Sequence, residues 1–253
     1  IIGIDKNGLI WLGGSYPNGN IQVLDSNYHL IYDSSYLEIE SVLDFCFSDS
    51  HVFVIYSNQN DIGILEFNYD GEIPYYLDYY NSFPESINSI SDIDLFEDNI
   101  FITTDKGVFR SNFIEDNLKI SSSWIEPSYG IDNSDILFFH RNDMGTYLIT
   151  EQNLYFNEDN FSNSILEFDS DPFDILPDNQ STIFCNKLNC YEVDESISLL
   201  YSIDGYDINN FYKNNNELFF SIKNGGLMSV DLNDISNSNH FIPNTILQNK
   251  YDA

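Results

Sequence analysis

Short apolar stretches, broken by clusters of Gly, Asn, Asp and Ser, recur from one end of the chain to the other. Within them apolar and polar positions often alternate, as in Ile21-Gln22-Val23, which is the period of a strand with one buried face. The stretch Ile4 to Asp25 shows the unit in full. An apolar strand meets a turn at Asp5-Lys6-Asn7-Gly8, where glycine tolerates φ > 0, and a second strand runs from Leu9 to Leu12 and closes on Gly13 and Gly14. A loop with Pro17 and Gly19 leads to a third strand through Ile21 and Val23, ending in the turn at Asp25 to Asn27. No stretch sustains the i, i+3, i+4, i+7 apolar face of a helix, so the pattern predicts an all-β chain.

The unit returns five more times. Leu9, Val52, Ile100, Thr146, Thr182 and Leu218 fall in register at the starts of LIWLGG, VFVIYS, IFITTD, TYLITE, TIFCNK and LFFSIK, at offsets of 43, 48, 46, 36 and 36. A mean of about 42 is the period of propeller blades of four strands each. The predicted fold is one β-propeller domain over 1–253 with six visible four-stranded blades, at about 1–39, 40–86, 87–130, 131–168, 169–205 and 206–243. Asp70-Gly71 predicts a hairpin turn before PYYLDYY. LKISSSW (Leu118 to Trp124) and SILEF (Ser164 to Phe168) are the expected outer strands of the third and fourth units. Residues 244–253 are a linker or an extra strand, and residues beyond either end could supply a seventh blade.

The first and third units resemble the short repeats of the two-component regulator propeller family. That pattern reads as acidic residue, turn, Gly, apolar, Trp, apolar, Gly, then a second Gly before an apolar strand. Asp5, Gly8, Trp11 and Gly13 match it in order, and TTDKGVFRSN (Thr103 to Asn112, with Gly107) matches its second half. The other units keep the strand rhythm but lack the Trp and most of the glycines. In that family such propellers are periplasmic sensor regions of bacterial histidine kinases, and related ones occur in secreted or surface proteins of bacteria with type IX secretion. The resemblance implies an extracytoplasmic binding or scaffolding role, in the periplasm, at the cell surface or secreted. It carries over no catalytic residue, because the motif is structural.

Composition narrows the partners. The 41 Asp and Glu against 9 Lys and Arg give a formal charge of −32, spread along the whole chain, while a hydrophobic fraction of 42% argues for a folded core. A field of that sign repels nucleic acid and anionic membranes, whose binding depends on Lys and Arg. No apolar run approaches the roughly 20 residues of a bilayer span, so direct membrane insertion of this segment is not expected. The chain begins at Ile1 without a signal-peptide pattern, as expected of a trimmed or mature segment.

The candidate chemistry is sparse. His29, His51, His140 and His240 fall in four different units without the spacing of a shared metal site. Arg110 and Arg141 are the two arginines, one fewer than the clamp of a sialidase, and Asp143 to Tyr147 has the wrong spacing for an Asp box. Asp5 to Gly8, Asn157 to Asp159 and Asp169 to Asp171 offer hard oxygen ligands for a structural calcium, against the alternative of solvated turns; no cofactor is expected. Cys185 and Cys190 flank a predicted hairpin and are expected to be neighbours across it, either as a disulfide or as two small buried thiols, with Cys46 apart in another blade. Tyr75, Tyr76, Tyr79 and Tyr80 suit edge-strand packing or a carbohydrate- or peptide-binding face. Trp11 and Trp124 are expected in the core.

These features predict a non-enzymatic binding or scaffold propeller that takes a protein, peptide or neutral glycan at a blade end or the channel mouth. Ligand sensing for a histidine kinase is the alternative. A lyase or glycosidase using a carboxylate in the channel is the third.

Overall fold

The structure is a computed structural model and describes residues 1–15, 19–59, 61–70, 73–84, 86–133, 136–157, 161, 164–167, 172–177, 182–186, 189–193, 197–202, 208–214, 216–222 and 226–241. Among these the strands form six antiparallel sheets, each a meander of consecutive strands. Sheet one holds β1 (Ile2–Ile4), β2 (Ile10–Gly13), β3 (Ile21–Leu24) and β4 (Leu30–Asp33). Sheet two holds β5 (Ser41–Phe47), β6 (His51–Asn58), β7 (Asp61–Asp70) and β8 (Ile73–Tyr80). Sheet three holds β9 (Ile90–Phe96), β10 (Asn99–Thr104) and β11 (Gly107–Asn112). Sheet four holds β12 (Phe138–Asn142), β13 (Gly145–Ile149), β14 (Asn153–Asn157) and β15 (Leu166–Glu167). Sheet five holds β16 (Pro172–Pro177), β17 (Thr182–Asn186), β18 (Asn189–Val193) and β19 (Ile197–Ser202). Sheet six holds β20 (Ile208–Asn214), β21 (Glu217–Ile222), β22 (Gly226–Asp231) and β23 (Asp234–Phe241).

The six aligned positions are all buried. Leu9 immediately precedes β2, and the other five lie in the second strand of their sheets. Val52, Ile100, Thr182 and Leu218 each face the residue five positions earlier on the first strand: Phe47, Leu95, Pro177 and Lys213. One hairpin geometry is thus reused, and the period-2 alternation places equivalent side chains on equivalent faces.

The third sheet differs from the expected four strands. Leu118 to Trp124 is not a strand: it turns at Asn117, whose side chain accepts from Lys119 N at 3.1 Å, and enters a 3₁₀ turn at Ser121–Ser123. Three consecutive serines favour local side-chain and turn bonding over a ladder. The Trp124 indole donates to Leu118 O at 3.0 Å, so both apolar ends of the segment are buried without pleating. A lone bridge between Arg110 and Ile125 stands where a fourth strand would pair. In sheet four the outer strand is Leu166–Glu167 among the described residues, with Phe168 outside them. Pro17, Gly71, Glu158, Asp159, the Asp169 to Asp171 loop and residues 244–253 lie outside the described residues.

By internal contacts the chain divides into two compact units, Ile1–Thr146 with Asp159–Ser162, and Tyr147–Glu158 with Asn163–Ala253. In the first, sheet two is buried on both faces. Val52, Val54 and Tyr56 of β6 join Trp11, Val23 and Phe67 in one core, while the alternate residues Phe53 and Ile55 join Ile93, Ile102 and Trp124 in another. A sheet apolar on both faces must be covered on both, which is the stacking of propeller blades. In the second unit, Ile183 and the Cys185–Cys190 pair pack against Phe211, Leu218, Phe220 and Val230.

Candidate functional site

The repeat-motif residues are architectural. Asp5 Oδ1 accepts from Asn7 N at 2.9 Å and Leu9 N at 3.0 Å, closing the first hairpin. Its Oδ2 accepts from Trp11 Nε1 at 2.9 Å and from the Tyr69 hydroxyl at 2.7 Å, which ties sheet one to sheet two. Gly8 takes φ 75° and Gly107 φ 110°, left-handed values that a side chain disfavours. Gly13 lies so close to Val42 and Ile1 that a Cβ there would collide with both. Asp5 is buried with its oxygens engaged by donors, so this loop presents no ready carboxylate to a calcium ion.

Two clefts lie at the end of sheet two where β6 runs into β7. One, of about 460 Å³, is lined by Glu38, Ile39, Glu40, Asn58, Gln59 and Asp61. The other, of about 560 Å³, is lined by Asp61, Ile62, Asn81 to Pro84, Ser86, Ile87 and Ser121. Asp61 belongs to both. Antiparallel pairing creates this arrangement, because Ser41↔Ser57 brings the start of β5 beside the end of β6, and Ile64↔Tyr80 brings the end of β8 beside the start of β7. Asp61 Oδ2 accepts from Asn81 Nδ2 at 3.0 Å and from the Tyr56 hydroxyl at 3.4 Å, and Asn58 Oδ1 accepts from Glu40 N at 2.9 Å. Burial, then the Asp61 charge, pushes the Tyr56 phenol well above its ordinary value and keeps it a donor. The clefts therefore present Glu38, Glu40 and Asp61 on a braced frame.

The first strands carry a device that strand periodicity does not reveal. A one-residue bulge interrupts the first strand of sheets two, three, five and six, at Leu43, Ser91, Phe173 and Asn209, and the next residue is Asp44, Asp92, Asp174 and Asn210. Bulges re-aim side chains and cluster near functional sites. Asp44 Oδ1 accepts from Phe45 N at 2.8 Å and Asp92 Oδ1 from Ile93 N at 2.9 Å, the same local geometry twice. First strands β5 and β9 lie side by side, as do β9 and β12. Asp94 Oδ2 accepts from Arg141 N at 2.9 Å and lies 3.1 Å from His140 Nδ1. Burial holds Asp44 up at about 6. Burial, then the charges of Asp94, Asp44 and Asp92, raises the Cys46 thiol above its ordinary value.

A polar cluster inside sheet two was not anticipated. Glu66 is buried, accepts a hydrogen bond from the Tyr80 hydroxyl, and has Oε1 3.4 Å from His51 Nε2. Burial raises the Glu66 carboxyl and lowers the His51 imidazole, so both are driven toward neutrality. The signal was an acid set within the apolar run Ile64-Leu65-Glu66-Phe67. The tyrosines of β8 divide: Tyr80 is buried on Glu66, Tyr76 packs against Phe67, and Tyr75 and Tyr79 are exposed.

The remaining candidates lie apart. Cys185 and Cys190 are direct partners across β17 and β18, with Cα atoms 4.2 Å apart, and form a disulfide; Cys46 is free. His29 is exposed beside Asp25, and His240 lies in β23. Among the described residues no group of three or more His, Cys, Asp or Glu is arranged to hold a metal ion, and no helix is long and apolar enough to cross a membrane.

No protein-family model and no curated protein sequence matches the chain. Solved structures do. PorZ, a surface component of the type-IX secretion system of Porphyromonas gingivalis, is similar over 96% of this chain and 32% of its own, with TM-score 0.68 and 13% identity. The extracellular domain of BT4673, a hybrid two-component system of B. thetaiotaomicron, is similar over 97% of this chain and 33% of its own, with TM-score 0.68 and 17% identity. The Pan2 WD40 domain of Neurospora crassa is similar over 96% of this chain and 78% of its own, with TM-score 0.64 and 11% identity. The chain thus spans about a third of the first two proteins. At these identities the likeness is one of fold: an all-β chain of the propeller kind, as in a type-IX surface component and a two-component sensor.

Proposed function

We propose that the chain is a six-bladed propeller segment of an exported bacterial protein that binds a protein, peptide or neutral glycan at the cleft-bearing end of its blades, without catalysing a reaction. The observation that carries this reading is the pair of clefts that share Asp61, one of them lined also by Glu38 and Glu40, near the bulge-set Asp44 of the same sheet. Binding residues on connections held by a rigid sheet frame are the usual layout of a recognition surface. Carboxylates there, within a chain of charge −32, favour a cationic or neutral partner. An extracytoplasmic location is supported by the Cys185–Cys190 disulfide, since such bonds persist in oxidising compartments. The surface and extracellular origins of PorZ and BT4673 support it too. The BT4673 likeness favours, as a second reading, a ligand-sensing module of a two-component kinase.

The test is an array of proteins, peptides and neutral glycans probed at low and at physiological ionic strength, with hydrogen exchange on the best binder. The reading expects a salt-sensitive binder that protects the amides of Glu38 to Glu40 and of Asn58, Gln59 and Asp61. Turnover of any glycan would replace it with a carboxylate-dependent enzyme.

A further inference from the structure

The last strand of sheet two is built unlike those of sheets one, three and four. β8 runs for 8 residues and, among the described residues, is laddered in its sheet to β7 alone. Along it Ile73, Tyr75, Leu77 and Tyr79 are exposed, at 58%, 41%, 46% and 47%. By contrast β4 has 4 residues and ends in Asp33, β15 has 2 among the described residues, and β11 is covered by the Arg110–Ile125 bridge. A long, apolar, unpaired edge is a template for an added strand, and proteins ordinarily shorten, charge or cover such edges. Here the blunting is partial: Pro74 removes one donor, a bulge at Leu77 interrupts the ladder with β7, and Asp78 Oδ1 accepts from Tyr79 N at 2.9 Å.

The chemistry beside that edge selects the occupant. Asp78 Oδ1 holds the Lys119 ammonium at 2.6 Å, and the same ammonium lies 5.5 Å from the centre of the Tyr79 ring. β8 thus already captures one lysine of its own chain with a carboxylate and an aromatic face together. Asp70, exposed at the turn end of β7, adds charge of the same sign. A second copy of this chain would bring another −32 against this edge, and a phosphate-bearing ligand would meet the same field.

We propose that β8 is a separate docking edge that takes an extended segment bearing lysine or arginine, added as a further strand of sheet two with its basic side chains on the Tyr and Asp positions. This is β-augmentation, in which the main chain supplies affinity and alternate side chains supply selectivity. The edge ends beside the cleft lined by Asn81 but does not use the cleft carboxylates, and the proposal stands without them.

The experiment uses the full chain and a labelled decapeptide alternating Lys and Val. Its controls are an alternating Glu and Val decapeptide and a Lys and Val decapeptide with alternate amides N-methylated. The Lys and Val peptide should bind by fluorescence anisotropy, weaken about tenfold from low to physiological ionic strength, and protect amides within Tyr75 to Tyr80 in hydrogen exchange. N-methylation should cost about tenfold or more, because it removes ladder donors without changing charge. Tyr75→Lys with Leu77→Lys, both at exposed positions, should weaken binding about tenfold at an unchanged thermal midpoint. Equal binding of the N-methylated or the acidic peptide would overturn the proposal. So would protection confined to the cleft loops, saturable binding of a neutral oligosaccharide to β8 in place of the peptide, or self-association of the chain through this edge.

Discussion

The indole nitrogen of Trp11 donates to Asp5 Oδ2 at 2.9 Å, and both residues are buried, six positions apart across the first hairpin. The same carboxylate takes two turn amides and the Tyr69 hydroxyl of the next sheet, so one side chain closes a turn, orients a core aromatic and joins two sheets. Replacing Trp11 by Phe leaves a buried charged acceptor short of a donor and should cost about 2–3 kcal/mol; Asp5→Ala should cost about as much or more. Urea unfolding of the variants measures this. A loss below about 0.5 kcal/mol for either would show that the motif does not hold the first hairpin to sheet two.

The disulfide closes a loop with a sequence separation of 5 inside the core of sheets five and six. So short a loop restricts the unfolded chain modestly, and Cys185→Ala with Cys190→Ala should lower stability by about 2 kcal/mol. Alkylation with and without reductant should label Cys46 alone in the unfolded, unreduced chain.

Asp44 supplies a pH dependence whose sign is fixed by its raised carboxyl. With a folded value of about 6 against an ordinary 3.8, the native state holds the proton more tightly than the unfolded chain between those values. This contribution to stability is therefore complete below about pH 4 and is lost as pH rises through 6. The loss amounts to about 1–2 kcal/mol after discounting for partial solvent access. Asp44→Asn should flatten that part of the stability profile and be the more stable form at pH 7. A profile identical to that of the parent would contradict the assignment.

Tyr80→Phe removes the donor to buried Glu66. The carboxylate then keeps its desolvation cost with one partner fewer, so the variant should lose about 1–3 kcal/mol at pH 7. Its deficit should shrink as pH falls and Glu66 protonates. His51, held low by burial, acts in the opposite sense: its contribution is lost as pH falls through the ordinary imidazole range, where the unfolded chain takes up the proton first.

Strand rhythm made much of the architecture legible. Val52, Ile100, Thr182 and Leu218 occupy one hairpin position because alternation at period 2 fixes which face each residue joins. Leu118 to Trp124 misled because two apolar residues bracketing a polar run look alike whether they are buried by pleating or by a turn with an indole hydrogen bond. The bulges before Asp44 and Asp92 leave no mark on composition, since an extra residue changes backbone geometry and pairing only. One cleft draws on residues as far apart as Asp61 and Ser121, and proximity of that kind arises only when the sheets pack.

The most direct measurement is the affinity of the best array binder for the parent chain and for Glu40→Gln with Asp61→Asn, each across a salt series. If the acid-lined clefts are the recognition surface, the double variant binds about tenfold or more weakly and its salt dependence is shallower, at an unchanged thermal midpoint. Equal affinity and equal salt dependence in parent and variant would contradict the account, as would preferential binding of the parent to DNA or to a polyanionic glycan.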